Sequence, residues 1–320
     1  MKHTLIIVSV VLILSGLVIA FIAFASAGFR FKDIGNKNAV TQNFSVEEDF
    51  NAIEIDDDCG HYDIKVVPSE SERTEIVMFG AEEIKLDYTV INSKLSIEIF
   101  DGRSFFMRIF NFGPDAYMIL SVPEKEYKSL KIETASGDSR VSSLEIGSVD
   151  INCASGDVFV SDVTASSVEV DTTSGDIHIK DSNIGSATLD VTSGDVELRD
   201  TDAKALDIEL TSGEISLSSV SVLNAASINV TSGDIDFEDV IIQGALKVET
   251  TSGDVKLMDC DAAKINIETT SGDVEGRLLS SKTFDAKATS GEVNVPNTQS
   301  GNGECYIRTG SGDIEISVTR

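Results

Sequence analysis

The stretch that decides the fold is Asp190-Val191-Thr192-Ser193-Gly194-Asp195-Val196-Glu197-Leu198. Its Ser-Gly-Asp core, or the variant Ser-Gly-Glu, occurs ten times, and each copy begins 19 to 21 residues after the one before. The copies begin at Ser136, Ser155, Ser174, Ser193, Ser212, Ser232, Ser252, Ser271, Ser290 and Ser311. A near-constant period of this length indicates a repeat protein in which each copy is one structural unit.

Apolar and polar residues alternate on both sides of each Ser-Gly pair, which predicts β-strands with one buried face. In the copy at Ser193 the inward positions are Ala187, Leu189 and Val191 before the corner and Val196 and Leu198 after it. A weaker inward column lies eight residues after each Ser: Leu144, Val163, Ser182, Thr201, Val220, Val240 and Cys260. Each unit is therefore predicted to form a strand, a corner, a second strand and a short third side.

Two short strands cannot bury a core alone, so the units are expected to stack through parallel pairing at about 4.8 Å per coil. The predicted fold is all-β, a right-handed parallel β-solenoid (β-helix) of about 19–20 residues per coil. Ten coils would form a rod of roughly 50 Å. Gly is expected at each corner because a sharp bend often needs a positive φ.

The N-terminal segment is predicted to cross a membrane. No charged residue occurs from Leu5 to Ala27, a run long enough to span a bilayer. The alternative is a signal peptide cleaved near Ala25-Ser26-Ala27. We expect residues 1–27 to form the anchor, 28–43 a juxtamembrane linker, 44–130 degenerate N-terminal β coils and a cap, and 131–320 the repeat solenoid. The expected location is the cell membrane, single-pass, with the bulk of the chain extracytoplasmic.

The composition limits the partners and the chemistry. The chain has 54 acidic and 25 basic residues and a formal charge of −29, so nucleic acid would be repelled and cations are the natural small partners. Trp is absent and His occurs three times. No nucleophile–base pair, P-loop or dinucleotide fingerprint is found. The sequence therefore predicts a protein that is not an enzyme.

The acid after each corner Gly forms an outward column, here called the acidic ladder. Its members are Asp138, Asp157, Asp176, Asp195, Glu214, Asp234, Asp254, Asp273, Glu292 and Asp313. In one interpretation each carboxylate accepts backbone N–H groups at the corner and keeps the solenoid soluble. In the other, the members from Asp157 to Asp273 hold Ca²⁺ or another hard cation, although the Gly-Gly-x-Gly-x-Asp calcium repeat is absent.

A second acidic column lies three residues before Ser and makes one side of the solenoid densely anionic. It contains Glu133, Asp171, Asp190, Glu209, Glu249 and Glu268. Thr occupies the position directly before Ser in seven of the ten copies and is also expected to face outward. A repetitive face of this kind would suit a repetitive ligand.

The segment from Phe100 to Phe112 holds five of the fifteen Phe residues. It is interpreted as a loop folded over the open end of the core. The alternative is an apolar patch that contacts a membrane or a partner. The side chains that would make this contact are those of Phe105, Phe106, Phe110 and Phe112.

The four cysteines are predicted to be buried thiols that form neither a disulfide framework nor a zinc site. Three of them, Cys153, Cys260 and Cys305, occupy inward columns. Cys260 and Cys305 are expected two coils apart, roughly 10 Å, which is too far for a disulfide. His178 is interpreted as a solvated residue that stands alone on an outward face.

With these motifs placed, residues 44–320 resemble the bacterial putative adhesin family, a domain-of-unknown-function group of membrane-anchored β-solenoids. The resemblance rests on the N-terminal span and the Ser-Gly-Asp series, together with Gly60-His61-Tyr62-Asp63-Ile64 and with Val122-Pro123 followed by Leu130-Lys131-Ile132-Glu133-Thr134. It implies a protein of the cell envelope, in some relatives linked to envelope-stress operons. It implies no catalytic residue.

Three functions follow as hypotheses. The first is a non-catalytic surface module, an adhesin or scaffold that binds an envelope polymer or a protein partner. The second is an envelope-stress sensor that acts through a membrane partner. The third is a polysaccharide-active β-helix enzyme, for which the coils from Ser155 to Ser271 offer no large insertion and almost no outward aromatic residue apart from Phe159.

Overall fold

The computed structural model describes residues 39–101, 116–297 and 301–319. Within these ranges the chain is all-β, with 24 strands and no helix. Most strands pair in parallel with the equivalent strand one repeat away, and they stack into a β-solenoid of about ten turns. The predicted β-solenoid is therefore confirmed.

The strands before the repeats are β1 Ala39–Val46, β2 Ala52–Asp57, β3 Asp63–Pro68, β4 Thr74–Ala81, β5 Ile84–Ile91, β6 Lys94–Asp101 and β7 Tyr117–Val122. The repeat strands are β8 Glu126–Ser136, β9 Ser139–Ser142, β10 Glu145–Ser155, β11 Val158–Ser161, β12 Thr164–Ser174, β13 Ile177–Lys180, β14 Asn183–Ser193, β15 Val196–Ser212, β16 Ile215–Ser232, β17 Ile235–Glu238, β18 Ile241–Ser252, β19 Val255–Ser271, β20 Val274–Leu278, β21 Thr283–Ser290, β22 Val293–Asn294, β23 Glu304–Ser311 and β24 Ile314–Val318.

Each coil has three sides, as the apolar columns predict. In β10 the buried side chains Ile146 and Val149 are three residues apart, so the strand bends between them and its first part forms the third side. The predicted third column, from Leu144 to Cys260, is buried throughout, with no member more than 5% exposed. All three columns therefore contribute to one continuous core.

The repeat period sets the register between coils. Val149 of β10 lies beside Val168 of β12, and Ser155 lies beside Ser174, both 19 residues later. Like residues therefore stack on like residues, and the Ser-Gly corners form a straight row. Gly194 in this row has φ 142°, and a Cβ at that position would lie 2.1 Å from the carbonyl oxygen of Gly175. Only Gly fits such a corner.

The order of the coils in space differs from their order in sequence at both ends. At the N-terminal end β2 lies between β6 and β8, and β3 lies between β7 and β9. At the C-terminal end β23 lies between β19 and β21, and β24 lies between β20 and β22. Strands β2, β3, β6 and β7, which precede the repeats, are thus part of the solenoid. At both ends, however, the coils do not stack in the order in which they occur in the sequence.

The two ends are covered differently. At the N-terminal end β5 pairs antiparallel with β6, β4 pairs antiparallel with β7, and β1 pairs antiparallel with β4. At the C-terminal end the outermost strand, β21, pairs only with β23 among the described strands. The core is therefore sealed by antiparallel strands at one end and ends in an open strand at the other.

Two predicted features lie outside the described residues. These are the membrane anchor at 1–27 and the proposed contact residues Phe105, Phe106, Phe110 and Phe112. Within the described ranges, no helix has the length and apolarity needed to cross a membrane.

Cys153, Cys260 and Cys305 are buried free thiols, as predicted, and Cys59 is half-buried beside the core. Burial raises the pKa of Cys260 to about 11 and that of Cys305 to about 12, so both thiols stay protonated at neutral pH. The exchanged coil order corrects the predicted separation of Cys260 and Cys305. Cys305 lies on β23, directly beside β19, the strand that carries Cys260, and not two coils away.

Candidate functional site: an acidic groove beside the corner row

The acidic ladder is a chain of hydrogen bonds between coils. The backbone N–H of Asp176 donates to Oδ1 of Asp157 at 2.9 Å, and the N–H of Asp195 donates to Oδ1 of Asp176 at 2.8 Å. The row begins before the repeats, at the start of β3, where Asp63 Oδ1 accepts the N–H of Asp138 at 3.0 Å. The corner hydrogen bonds expected in the first interpretation are therefore present at the Asp members of the ladder. Asp63 directly follows the irregular corner at Gly60-His61-Tyr62 and thus has the same role there as the acid of each Ser-Gly-Asp corner.

The ladder also follows the exchanged coil order. The N–H of Asp313 donates to Asp273 Oδ1 at 2.7 Å, and the N–H of Glu292 donates to Asp313 Oδ1 at 2.7 Å. Glu292 therefore stands at the end of the row, since no strand of the described chain pairs with the outer side of β22. The other Glu in the row, Glu214, interrupts it, because in the described chain the N–H of Asp234 does not donate to the Glu214 carboxylate.

These bonds affect the cation hypothesis for Asp157, Asp176, Asp195, Glu214, Asp234, Asp254 and Asp273. Apart from Glu214, each of these carboxylates already uses Oδ1 to accept a backbone N–H from the next coil. In the described part of the chain, no group of three or more His, Cys, Asp or Glu residues is placed to hold a metal ion. A cation ladder stays a prediction that only a binding measurement can test.

A long groove runs parallel to the corner row and encloses a volume of about 930 Å³. It forms because the positions three and one before Ser both point outward from the same strand. One wall is mainly acidic: Asp56, Glu133, Asn152, Asp171, Asp190, Glu209, Asn229 and Glu249. The other wall is Ala135, Ala154, Thr173, Thr192, Thr211, Thr231 and Thr251. We call this feature the acidic groove.

The acidic wall is one continuous row across the coils. Asp171 lies beside Asp190, and Asp190 lies beside Glu209. None of these three forms an ion pair with a Lys or Arg of the described chain, whereas Glu133 and Glu249 pair with Lys131 and Lys247. The centre of the groove is therefore its least neutralised part.

Burial and neighbouring like charges raise the pKa of two acids of this row. Burial and then the neighbouring charge of Asp171 raise the pKa of Asp190, and Glu209 adds to the shift. Burial, with the charges of Asp58 and Glu133, also raises the pKa of Asp56. A bound cation would relieve this repulsion, so the row is suited to positively charged ligands.

The charge of the groove reverses at its C-terminal end. A further section of about 460 Å³ continues past Glu268 and is lined by Arg308 and Lys287. Arg308 lies beside Glu268 in the register, and Lys287 lies beside Arg308. The groove therefore has a direction, since it is anionic over most of its length and cationic at its last two coils.

The structure corrects the interpretation of His178. Its Nδ1 lies 3.0 Å from Glu197 Oε2, and its ring stacks on Phe159 with centroids 5.0 Å apart. The guanidinium of Arg140 covers the same Phe159 ring at 4.5 Å. His178 is thus part of a stack of four side chains across successive coils. Since Phe159 lies between Arg140 and His178, its ring faces are occupied.

A further periodic column, made mostly of Asp, was not predicted from the sequence. The residues seven after Ser adopt left-handed backbone, with φ between 48° and 58°: Ser143, Asp162, Asp181, Asp200, Ser219, Asp239 and Asp259. They form a second corner row between the short strand and the third side. Asp at a fixed offset was the available signal, because Asp adopts this conformation more readily than most residues.

The family comparison covers nearly the whole described region. The model of the Toastrack DUF4097 family matches residues 50–240 and 239–320. No protein of curated function matches the sequence.

Several solved structures are similar over 88% of this chain, at low sequence identity. A putative adhesin from Parabacteroides distasonis ATCC 8503 is 14% identical, with 98% of that chain covered and a TM-score of 0.49. A putative lipid binding protein from the same strain is 17% identical, with 98% covered and a TM-score of 0.45. A putative adhesin from Parabacteroides merdae ATCC 43184 is 16% identical, with 97% covered and a TM-score of 0.44. Since the family model matches more than half of the sequence, the chain belongs to the Toastrack DUF4097 family.

Proposed function

We propose that this protein is a non-catalytic surface module of the cell envelope, an adhesin or scaffold whose binding face is the acidic groove. Its ligand class is a linear envelope polymer that carries positively charged groups. The observation that carries the proposal is the unneutralised row Asp171, Asp190 and Glu209 at the centre of a groove of about 930 Å³.

The solenoid geometry supports a polymer rather than a small ligand. Successive carboxylates of the row stand one coil apart, about 4.8 Å, along a straight wall. A chain with regularly spaced positive charges can contact several of them at once, and each further contact adds to the overall affinity. The hydroxyl groups of Thr192 and Thr211 on the facing wall supply hydrogen-bonding partners along the same line.

The proposal includes the placement of the chain. Residues 1–27 anchor it in the cell membrane as a single span, and the right-handed solenoid lies on the extracytoplasmic side. Two of the similar solved structures are named putative adhesins, and the proposal gives this chain the same kind of role. Net charge agrees with the ligand class, since a chain at −29 attracts cationic polymers and repels nucleic acid.

The test is binding of fluorescent poly-lysine to the full chain in a non-ionic detergent. The groove variant Asp171→Asn/Asp190→Asn/Glu209→Gln should weaken binding by at least about tenfold, because three adjacent contacts are lost. The matched control, Asp181→Asn/Asp200→Asn/Asp239→Asn, removes the same charge from the second corner row, where Asn tolerates the left-handed backbone.

The control should bind within about twofold of the wild type, because distant exposed charges are screened at physiological salt. Equal losses in both variants would show that poly-lysine responds only to net charge. Unchanged binding by the groove variant would also exclude the groove as the binding face.

A further inference from the structure

The C-terminal coil ends in a strand whose outer edge and inner face are both incompletely covered. Strand β21 pairs with β23 on one side only within the described chain. Its inward residues Phe284, Ala286 and Ala288 are half-buried, whereas the neighbouring Cys305 and Ile307 are at most 2% exposed. Val293 on β22 is 42% exposed, and its neighbour Ile314 is 1% exposed.

The sequence of this edge is complementary to itself when it is read in the opposite direction. An antiparallel pairing of β21 with a second β21, centred on Ala286, places Asp285 opposite Lys287 in both halves. It also places the large Phe284 opposite the small Ala288, and Thr283 opposite Thr289. Opposite charges and large–small pairs at directly facing positions stabilise antiparallel strands.

We propose that the C-terminal end of the solenoid is a self-association surface through which two copies pair, β21 against β21, with Ala286 on the twofold axis. Such a contact is closed, because each copy uses the same edge of β21 and that edge is then fully paired. At the N-terminal end the strands with an unpaired edge in the described chain are β1 and β5, and neither carries the self-complementary sequence of β21.

The contact would extend a charge pairing that already exists within one copy. Arg308 Nη2 lies 2.7 Å from Asp285 Oδ2, and Arg308 Nη1 donates to the carbonyl of Asp285. In the pair, Lys287 of the second copy approaches Asp285 from its open side. The half-exposed Phe284 would then be covered by Ala288 of the second copy, the residue directly opposite it.

The experiment is sedimentation of the full chain in detergent, for wild type and for two charge variants. We expect a dimer for the wild type and a monomer for Lys287→Asp and for Asp285→Lys alone, since each variant places like charges opposite each other. An equimolar mixture of the two variants should restore the dimer, because positions 285 and 287 are both acidic in one variant and both basic in the other. Lys247→Asp, on an interior coil, is the matched control and should remain dimeric.

A further variant locates the axis. Ala286→Cys should form a disulfide-linked dimer under mild oxidation, because residue 286 faces itself across the twofold axis within disulfide reach. A wild type that stays monomeric would overturn the inference and leave Asp285 and Lys287 as charges that protect a monomer's edge. A dimer that all charge variants retain would assign association to another surface and would overturn it equally.

Discussion

The carboxylate Oδ1 of Asp157 accepts the backbone N–H of Asp176 at 2.9 Å, one full coil later in the sequence. Repeated along the corners, this bond satisfies an N–H that the parallel strands leave without a partner at the bend. The acid of Ser-Gly-Asp is therefore explained by backbone chemistry before any ligand is considered. The unexplained charge lies in the neighbouring groove, and the two rows can be separated by experiment.

Removal of one ladder acid should cost stability. Asp176→Ala deprives the N–H of Asp195 of its acceptor, now at 2.8 Å. A hydrogen bond to a charged group contributes about 1.5–3 kcal/mol, and we expect a loss of that size in the free energy of unfolding. Asp176→Asn keeps an acceptor and should lose less. Urea denaturation measures both, and equal stability of Ala, Asn and wild type would show that the bond contributes nothing.

Repair of the interrupted ladder should have the opposite effect. Glu214 is one methylene longer than its neighbours, and burial together with the charges of Asp236 and Asp195 raises its pKa. Glu214→Asp places a carboxylate where it can accept the N–H of Asp234. We expect a gain of about 1 kcal/mol in the free energy of unfolding. Asp195→Glu, which should break a bond to Glu214 that now measures 2.8 Å, is the reciprocal control.

The engaged ladder oxygens give an expectation for Ca²⁺. Calcium requires six to eight oxygen ligands, and in each bonded Asp one carboxylate oxygen already accepts an N–H. We expect calorimetry of the full chain to show no saturable calcium site on the ladder. Saturable heat that is lost in Asp176→Asn/Asp195→Asn, and kept in the groove variant, would contradict this expectation and support the cation ladder.

The groove acids should make stability depend on pH. The pKa of Asp190 is raised above its ordinary value of 3.8 in the folded chain, so the folded state binds this proton more tightly than the unfolded state. Its contribution to the free energy of unfolding therefore falls as the pH rises from that ordinary value through the raised pKa.

Asp190→Asn removes this titration. We expect the variant to be more stable than wild type at neutral pH and to show a flatter pH dependence in the mildly acidic range. Urea midpoints across that range provide the measurement, with Asp181→Asn on the second corner row as the control. Parallel curves for Asp190→Asn and wild type would rule out a role of this carboxyl in the pH dependence.

The stability of the exchanged C-terminal coils, β21 to β24, should depend on Lys282. This side chain is 1% exposed, its Nζ lies 2.6 Å from Asp261 Oδ1, and it donates to the carbonyl of Asn302 at 2.8 Å. It thereby ties the segment before β21 to the segment that returns to β23. Loss of one partner of a buried ion pair is strongly destabilising, and we expect Lys282→Ala to cost roughly 2–4 kcal/mol.

Hydrogen exchange should localise that loss to strands β21 to β24, with little change in β10 to β16. Lys256→Ala, an exposed lysine on β19 outside the proposed β21 contact, serves as the control and should leave the exchange pattern unchanged. Uniform acceleration along the whole solenoid would show that Lys282 does not act locally.

The pattern of residues by itself determined the coil. Alternation around Ser193 and Gly194 defines two strands and a corner, and the column that contains Val163 and Cys260 defines the third side. These signals are readable because they are local and are repeated in every copy. The corner bonds of the acids were predictable for the same reason, since Asp195 and Gly194 are adjacent in sequence.

Only the tertiary structure decided which coil lies beside which. Coils with the same apolar columns offer each other nearly equal partners, so no local pattern tells β19 to pair with β23 in place of β21. That choice depends on the path of the loops that connect the coils. It also depends on which coil leaves its outer strand edge unpaired. The acidic groove is a tertiary result for a related reason, because its charge arises only when Asp171, Asp190 and Glu209 from separate coils are brought side by side.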